Sequence, residues 1–258
     1  MPIQTTWINK QINDHRIEDN KKDSENHVSS GGLSAGMLFQ PVRFQVLKTL
    51  GAPRRPFDAY TLGVFEIGND VEAKFVKSLN RAGALLKNKD VEAHGLTWNT
   101  DKDEAYAQYR ECVGYVDAVV DTKDMERDWG VMPWECKSVT SYKLKHVKKT
   151  GVDWHHKLQA CLYALAMGKY KFGVAIISKE HPDPAVHIFE TAEMKPEVDQ
   201  IISRYMEAME NWSKDRTLPI LESGKVAWAV NPKYAMFEPE WFENDHQCIK
   251  KMEELDLI

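Results

Sequence analysis

Gly114-Tyr115-Val116-Asp117 and, after a polar interval, Trp134-Glu135-Cys136-Lys137 are the stretch on which the reading of this chain turns. Each group closes or occupies an apolar run of strand character. Successive side chains of a strand point to opposite faces, so Glu135 and Lys137 share one face while Met132, Trp134 and Cys136 take the other. A hairpin through residues 122–130 (TKDMERDWG) brings Asp117 beside them. Two carboxylates then make a hard-cation site with an ammonium next to it. That set of groups suits metal-assisted cleavage of a phosphodiester.

Glu-x-Lys alone is a weak pattern, and this chain also carries it at Glu72-Ala73-Lys74 and Glu193-Met194-Lys195. An isolated pair of this kind is ordinarily an exposed salt bridge. Context separates the three. The first falls in a predicted helix, where residues two apart diverge, and the third at a helix entry. Only Glu135-Cys136-Lys137 lies in a strand preceded at hairpin distance by an acid. Glu72 is informative for another reason. It sits between Val71 and Phe75 on the apolar stripe of its helix, where a lone carboxylate needs a partner, and a shared metal ion supplies one.

Outward from this centre, residues 1–28 are polar and mixed in charge and read as a flexible arm, with Trp7 and Ile8 as possible docking points. Ser29-Ser30-Gly31-Gly32 marks a break. Residues 33–50 read as a short helix and a second one, divided at Pro41. Val71, Phe75 and Leu79 predict a helix over about 61–82. Strands are expected over 91–98, 105–111, 113–121 and 131–139. A helix over 152–167 ends at Gly168. Strands over 172–178 and 185–190 flank a turn at His181-Pro182-Asp183-Pro184. Pro196 opens a helix to about Trp212, and a short helix covers 247–255. This order suits one mixed central β-sheet flanked by helices, an α/β architecture built as a single domain over 29–258.

On the helix over 152–167, His155, Gln159 and Tyr163 recur every four residues and line one face. Such a row can hydrogen-bond a phosphate or a water and stack on a base; for His155 an ordinary polar helix flank is the preferred reading. Lys143, Lys145, His146, Lys148 and Lys149 follow the acid-x-lysine strand, and Arg54 and Arg55 precede the long helix. Placed along a cleft, they would bind a phosphate backbone.

Composition limits the alternatives. Of the 258 residues 43% are apolar, and eight Trp, nine Tyr and nine Phe suffice for a sizeable core. The formal net charge of −5 lacks the bulk basic signature of a nucleic-acid binder, which leaves room for local patches. Cys112, Cys136, Cys161 and Cys248 form no CxxC pair and read as buried reduced thiols, against structural zinc or a disulfide framework. The N-terminal segment lacks the apolar core of a signal peptide, and no run approaches a membrane span. The expectation is a soluble, cytoplasmic protein.

Taken in order, these residues resemble the PD-(D/E)XK nuclease superfamily, nearest to its RecB-like and lambda-exonuclease-like branches, over roughly residues 29–215. Ser34-Ala35-Gly36-Met37-Leu38 followed by Gln40-Pro41-Val42-Arg43-Phe44 is similar to the N-terminal signature of that branch. Gly68-Asn69-Asp70-Val71-Glu72 is similar to its metal-ligand helix. Gly114 to Asp117 with Glu135 to Lys137 matches the central pair, and Gln159-Ala160-Cys161-Leu162-Tyr163 the Q-x-x-x-Y helix. The resemblance implies a restriction-endonuclease-like core and a metal-dependent DNA exonuclease producing 5′-phosphate and 3′-hydroxyl ends. It implies Asp117, Glu135 and Lys137 as catalytic, and Glu72, Asp117, Glu135 and the Cys136 carbonyl around Mg²⁺ or Mn²⁺. Gln159, Tyr163, Arg43, Lys143, Lys145 and Lys148 are implied as DNA contacts, with DNA ends, single-stranded or duplex, as substrate. A homo-oligomer or a recombination or repair partner, in a bacterial or phage-infected cell, belongs to the same expectation. Gln40 stands where iron–sulfur relatives carry a Cys, so no such cluster is expected. A structure-specific or restriction-type endonuclease and a cleavage-dead DNA-binding module stay open as alternatives.

Overall fold

The computed structural model describes residues 6–26, 32–181, 184–222, 229–231 and 235–258, with the backbone course alone for residues 6–7 and 23–26. The break at Ser29-Ser30-Gly31, Pro182-Asp183 of the expected turn and the Trp7 side chain lie outside the described residues.

Eight strands among the described residues form two four-stranded mixed sheets flanked by helices. The first has the order β1 (Leu33–Ser34), β4 (Cys112–Val116), β3 (Glu104–Tyr109), β2 (Thr97–Asn99). The second has the order β5 (Ala118–Asp121), β6 (Val131–Val139), β7 (Lys171–Ser178), β8 (Ala185–Glu190). The mixed α/β class is as expected, but the strand expected over 113–121 is divided between the sheets. It pairs with β3 before Asp117 and with β6 after it. Asp117 itself belongs to neither strand and stands at the joint. The hairpin β5–β6 is antiparallel, with Ala118 opposite Trp134, while β6 and β7 run parallel. A parallel pair needs a long crossover. Helices α5 (Ser141–Thr150) and α6 (Trp154–Ala166) supply it.

Helix α3 (Ala59–Arg81) starts at Asp58, whose side chain caps it by accepting from the Thr61 N–H at 2.7 Å. Val71, Phe75, Val76 and Leu79 pack on Trp134, Cys136, Ala118, Val120 and Ile177, and the Phe75 and Trp134 rings stack at 6.5 Å. The opposite side of the second sheet, with Val119, Phe172, Val174 and Ile176, shares the larger core with α6 and with α7 (Thr191–Asp215). The second sheet is therefore a middle layer, and its interior strands read as apolar runs because both faces are covered. All four cysteines are buried and unbridged, as expected.

Several expectations change. Residues 6–26, expected as a flexible arm, form helix α1, which reaches α3 through an Arg16–Glu66 ion pair at 2.8 Å. The expected strand over 91–98 is helix α4 (Lys89–Glu92) followed by β2, because the apolar residues Val91 and Leu96 are buried from a turn rather than from alternating strand positions. The lysine run is the helix α5, capped by Thr140. Helix α7 begins five residues before Pro196. Thr191 anchors it, its N–H bonding the Tyr170 carbonyl at 2.8 Å and its hydroxyl the Lys169 carbonyl at 2.8 Å. Short α2 (Val42–Thr49) and C-terminal α8 (Asp245–Glu254) complete the described α-helices, beside single 3-10 turns at Ala35–Met37 and Pro239–Trp241.

Candidate active site

Four side chains from three elements converge at the joint between the sheets. Asp117 hangs from the break after β4, Glu135 and Lys137 from β6, and Glu72 from α3. The sequence builds the approach locally. A Cβ on Gly68 would lie 3.0 Å from the Ser138 hydroxyl, so glycine lets α3 press against β6. One turn later Glu72 Oε1 accepts the Ser138 N–H at 2.8 Å. Asp117 Oδ2 accepts the Cys136 N–H at 2.7 Å, which locks the joint to β6. Gly114 does the same for the other layer. A Cβ there would fall 2.7 Å from Ala35 Cβ and 3.0 Å from the Tyr163 ring.

The Lys137 ammonium sits at the centre of the set. It is 2.6 Å from Glu135 Oε1, 3.5 Å from Asp117 Oδ2 and 4.0 Å from Glu72 Oε2, and it donates to the Cys136 carbonyl at 2.9 Å. The four groups implied as metal ligands thus surround one positive centre. Glu135 is 0% exposed, whereas Glu72, Asp117 and Lys137 keep 23%, 29% and 27%. The ammonium reaches Glu135 Oε1 as an ion pair out of hydrogen-bond line, and Glu135 Oε2 is buried with no donor. Such an orphaned anionic oxygen is costly unless a cation meets it. The donor set, three carboxylates and a carbonyl, is all oxygen and fits a hard divalent ion.

The electrostatics follow. Burial, and then the Asp117 charge, push the Glu135 carboxyl up to about 8. Burial alone would pull the Lys137 ammonium down, but Glu135, Asp117 and Glu72 outweigh it and hold the group above its ordinary value. The Lys137 ammonium therefore keeps its charge.

The remaining expected site residues separate. Tyr163 is 1% exposed, accepts the Gln159 amide N–H at 2.9 Å, and is held well above its ordinary value by burial and by Glu135. It packs in the core beneath Gly114. Gln159 is half-buried and committed to that hydroxyl. Arg43 is 3% exposed. Its guanidinium donates to the Pro219 carbonyl at 3.1 Å and to Asp245 at 2.6 Å, tying α2 to α8. Lys143 pairs with Asp153 at 2.9 Å, bridging α5 to α6, whereas Lys145 and Lys148 are exposed on α5.

Near the site His155 has two neighbours, Asp153 and His156, that the sequence did not single out. Asp153, His155 and His156 present ligand atoms within 4.8 Å of one another, and burial holds both imidazoles below their ordinary value, His156 to about 3. The Asp-x-His-His spacing was the signal, but Lys143 occupies the carboxylate. A cleft of about 660 Å³ opens from Glu72 and Asp117 past Asn69, Lys77, Lys87 and Lys102. Its lysines come from loops and a helix flank far apart in sequence, so no motif announces them.

No family model matches the chain, and no curated protein matches it. Among solved structures, an alkaline exonuclease (LHK-Exo) from Laribacter hongkongensis is similar at 12% identity, over 71% of this chain and 92% of that one, with a TM-score of 0.44. The structure of LHK-Exo in complex with dAMP is similar at 10% identity, over 80% of this chain and 96% of the other, with a TM-score of 0.43.

Proposed function

We propose that this chain is a divalent-metal-dependent deoxyribonuclease of the PD-(D/E)XK type, built on residues 29–258, that cuts phosphodiester bonds at DNA ends. One observation carries the reading. Asp117, Glu135, Glu72 and the Cys136 carbonyl surround a single positive charge, and a buried oxygen of Glu135 still lacks a partner. Those four groups would hold Mg²⁺ or Mn²⁺. When bound, the ion supplies a Lewis acid for the scissile phosphate and lowers the pKa of a coordinated water.

The chain's own residues do the rest. Asp117 and Glu72 are each fixed by a backbone N–H of β6, so their free oxygens face the cleft without reorganisation. Lys137 orients the attacking water and offsets the charge that develops on the phosphate. Lys145 and Lys148 of α5 and the lysines of the cleft attract the backbone of the incoming strand. Action at ends in recombination, repair or phage genome processing completes the proposal.

Digestion of end-labelled linear DNA and closed circular DNA with Mg²⁺ or Mn²⁺ tests it. Linear DNA should be degraded and EDTA should stop the reaction, while the circle survives. Cutting of the circle would convert the reading to an endonuclease. A Lys137→Ala protein that cuts at the wild-type rate would remove the mechanism.

A further inference from the structure

Two tyrosines next to the site have a face that the mechanism does not use. Tyr106 on β3 and Tyr115 on β4 are cross-strand partners, with ring centroids 5.4 Å apart and planes inclined at 64°. Their strand neighbours Ala105, Ala107 and Val116 are buried on the opposite face. The pair is half-buried and lines an open cavity of about 520 Å³ together with Thr97, Trp98 and Asn99. Tyr115 precedes Asp117 by two residues. Lys102, which lies 4.2 Å over the Tyr115 ring, also lines the cleft of Asp117, and two residues of backbone span about 6.6 Å at strand extension. That is the reach of one extended nucleotide. A separate cavity of about 80 Å³ lined by Trp98, Ala105, Val116 and Asp117 lies on the other face of the same strands.

The rings are held in place. Asn99 donates to the Tyr115 hydroxyl at 3.2 Å and accepts the Lys102 N–H at 3.0 Å, so one amide fixes both the ring and the turn that follows β2. The Lys102 ammonium lies 4.2 Å over the Tyr115 ring, on a long exposed side chain that can swing to a phosphate. Lys77, Lys87 and Lys102 share the surroundings with Asp101, Asp103 and Glu104, and Lys87 pairs with Asp103 at 2.5 Å. The shelf is close to neutral, so a ligand must be gripped there by ring contact more than by charge.

We propose that Tyr106 and Tyr115 form a stacking shelf for an unpaired nucleobase of the strand whose phosphate lies at Asp117. The substrate is then single-stranded DNA or a frayed duplex end, since paired bases inside a duplex have no free face to offer. This rests on the nuclease reading.

Steady-state cleavage of a single-stranded oligonucleotide, and anisotropy of the same labelled oligonucleotide in EDTA, test the shelf on the intact chain. Tyr106→Ala should raise KM and weaken binding about tenfold, with a smaller effect on kcat. Tyr106→Leu, which keeps volume without a flat face and guards against misfolding, should behave alike, and Tyr106→Phe should restore both. The loss should persist at raised salt, because stacking is not screened. Cleavage and binding unchanged in the Ala and Leu variants would overturn the shelf and leave the nuclease reading intact. If wild-type protein cuts no DNA, that reading fails on its own. Tyr106-dependent binding in EDTA would then still support the shelf, and its absence would overturn it.

Discussion

Glu135 carries a conflict, a carboxylate at 0% exposure with an oxygen to which no described residue donates. Its carboxyl rises from an ordinary 4.5 to about 8 through burial and the Asp117 charge. The folded, metal-free protein therefore holds a proton there that the unfolded chain releases. The contribution is present below about 4.5 and is lost as pH rises through about 8. Thermal melts in EDTA should show stability falling across that window, and Mg²⁺ or Mn²⁺ should reverse the fall. Glu135→Gln removes the buried charge, so it should raise the EDTA melting temperature at pH 8 by a few degrees while abolishing metal-dependent cleavage. A lower melting temperature would mean that the carboxylate stabilises the fold. Metal binding must displace the same proton, so calorimetry in buffers of different ionisation enthalpy should detect proton release.

At the level of elements, two glycines set the spacing of the layers. Gly68→Ala would bring a Cβ to 3.0 Å from the Ser138 hydroxyl, lifting α3 and with it the Glu72 contact to the Ser138 N–H. Activity should fall more than stability does, and titration with Mn²⁺ should show weaker metal binding. Gly114→Ala meets Ala35 and the Tyr163 ring, both in the core, and should cost about 1–3 kcal/mol of stability by chemical denaturation. The sequence was legible here in part. Asp117, Glu135, Lys137 and Glu72 stood out because strand alternation and an acid on an apolar stripe are one-dimensional signals, and the structure brings all four together. The burial of Tyr163 was not legible because i, i+4 spacing marks a helix face without saying which layer covers it. The lysine run read as a charged stretch because α5 carries only Leu144 and Val147 as buried apolar anchors, too few for a clear helical stripe. The two-sheet division was invisible because Ala118 to Asp121 continues the apolar run of β4 without a breaker.

Over the whole molecule, Arg43 links the N-terminal third to the C-terminal helix through Pro219 and Asp245. Its expected role at a phosphate was plausible from its place in the N-terminal signature, and only the course of the chain after α7 shows what it holds. Arg43→Gln should cost about 2 kcal/mol in denaturant unfolding and leave the salt dependence of DNA binding unchanged. Lys145→Gln with Lys148→Gln should do the reverse, lowering the slope of log affinity against log salt by about 1 to 2 while hardly touching stability. No helix among the described residues is long and apolar enough to cross a membrane. Residues 112–121 run through both sheets as one length of backbone, with Asp117 as its pivot. Any flexing of one sheet against the other must turn about that acid, so an ion gripping it should act as a splint. Amide deuterium uptake should slow on adding Mg²⁺ in β2 and β8, one edge strand of each sheet, as well as beside the carboxylates.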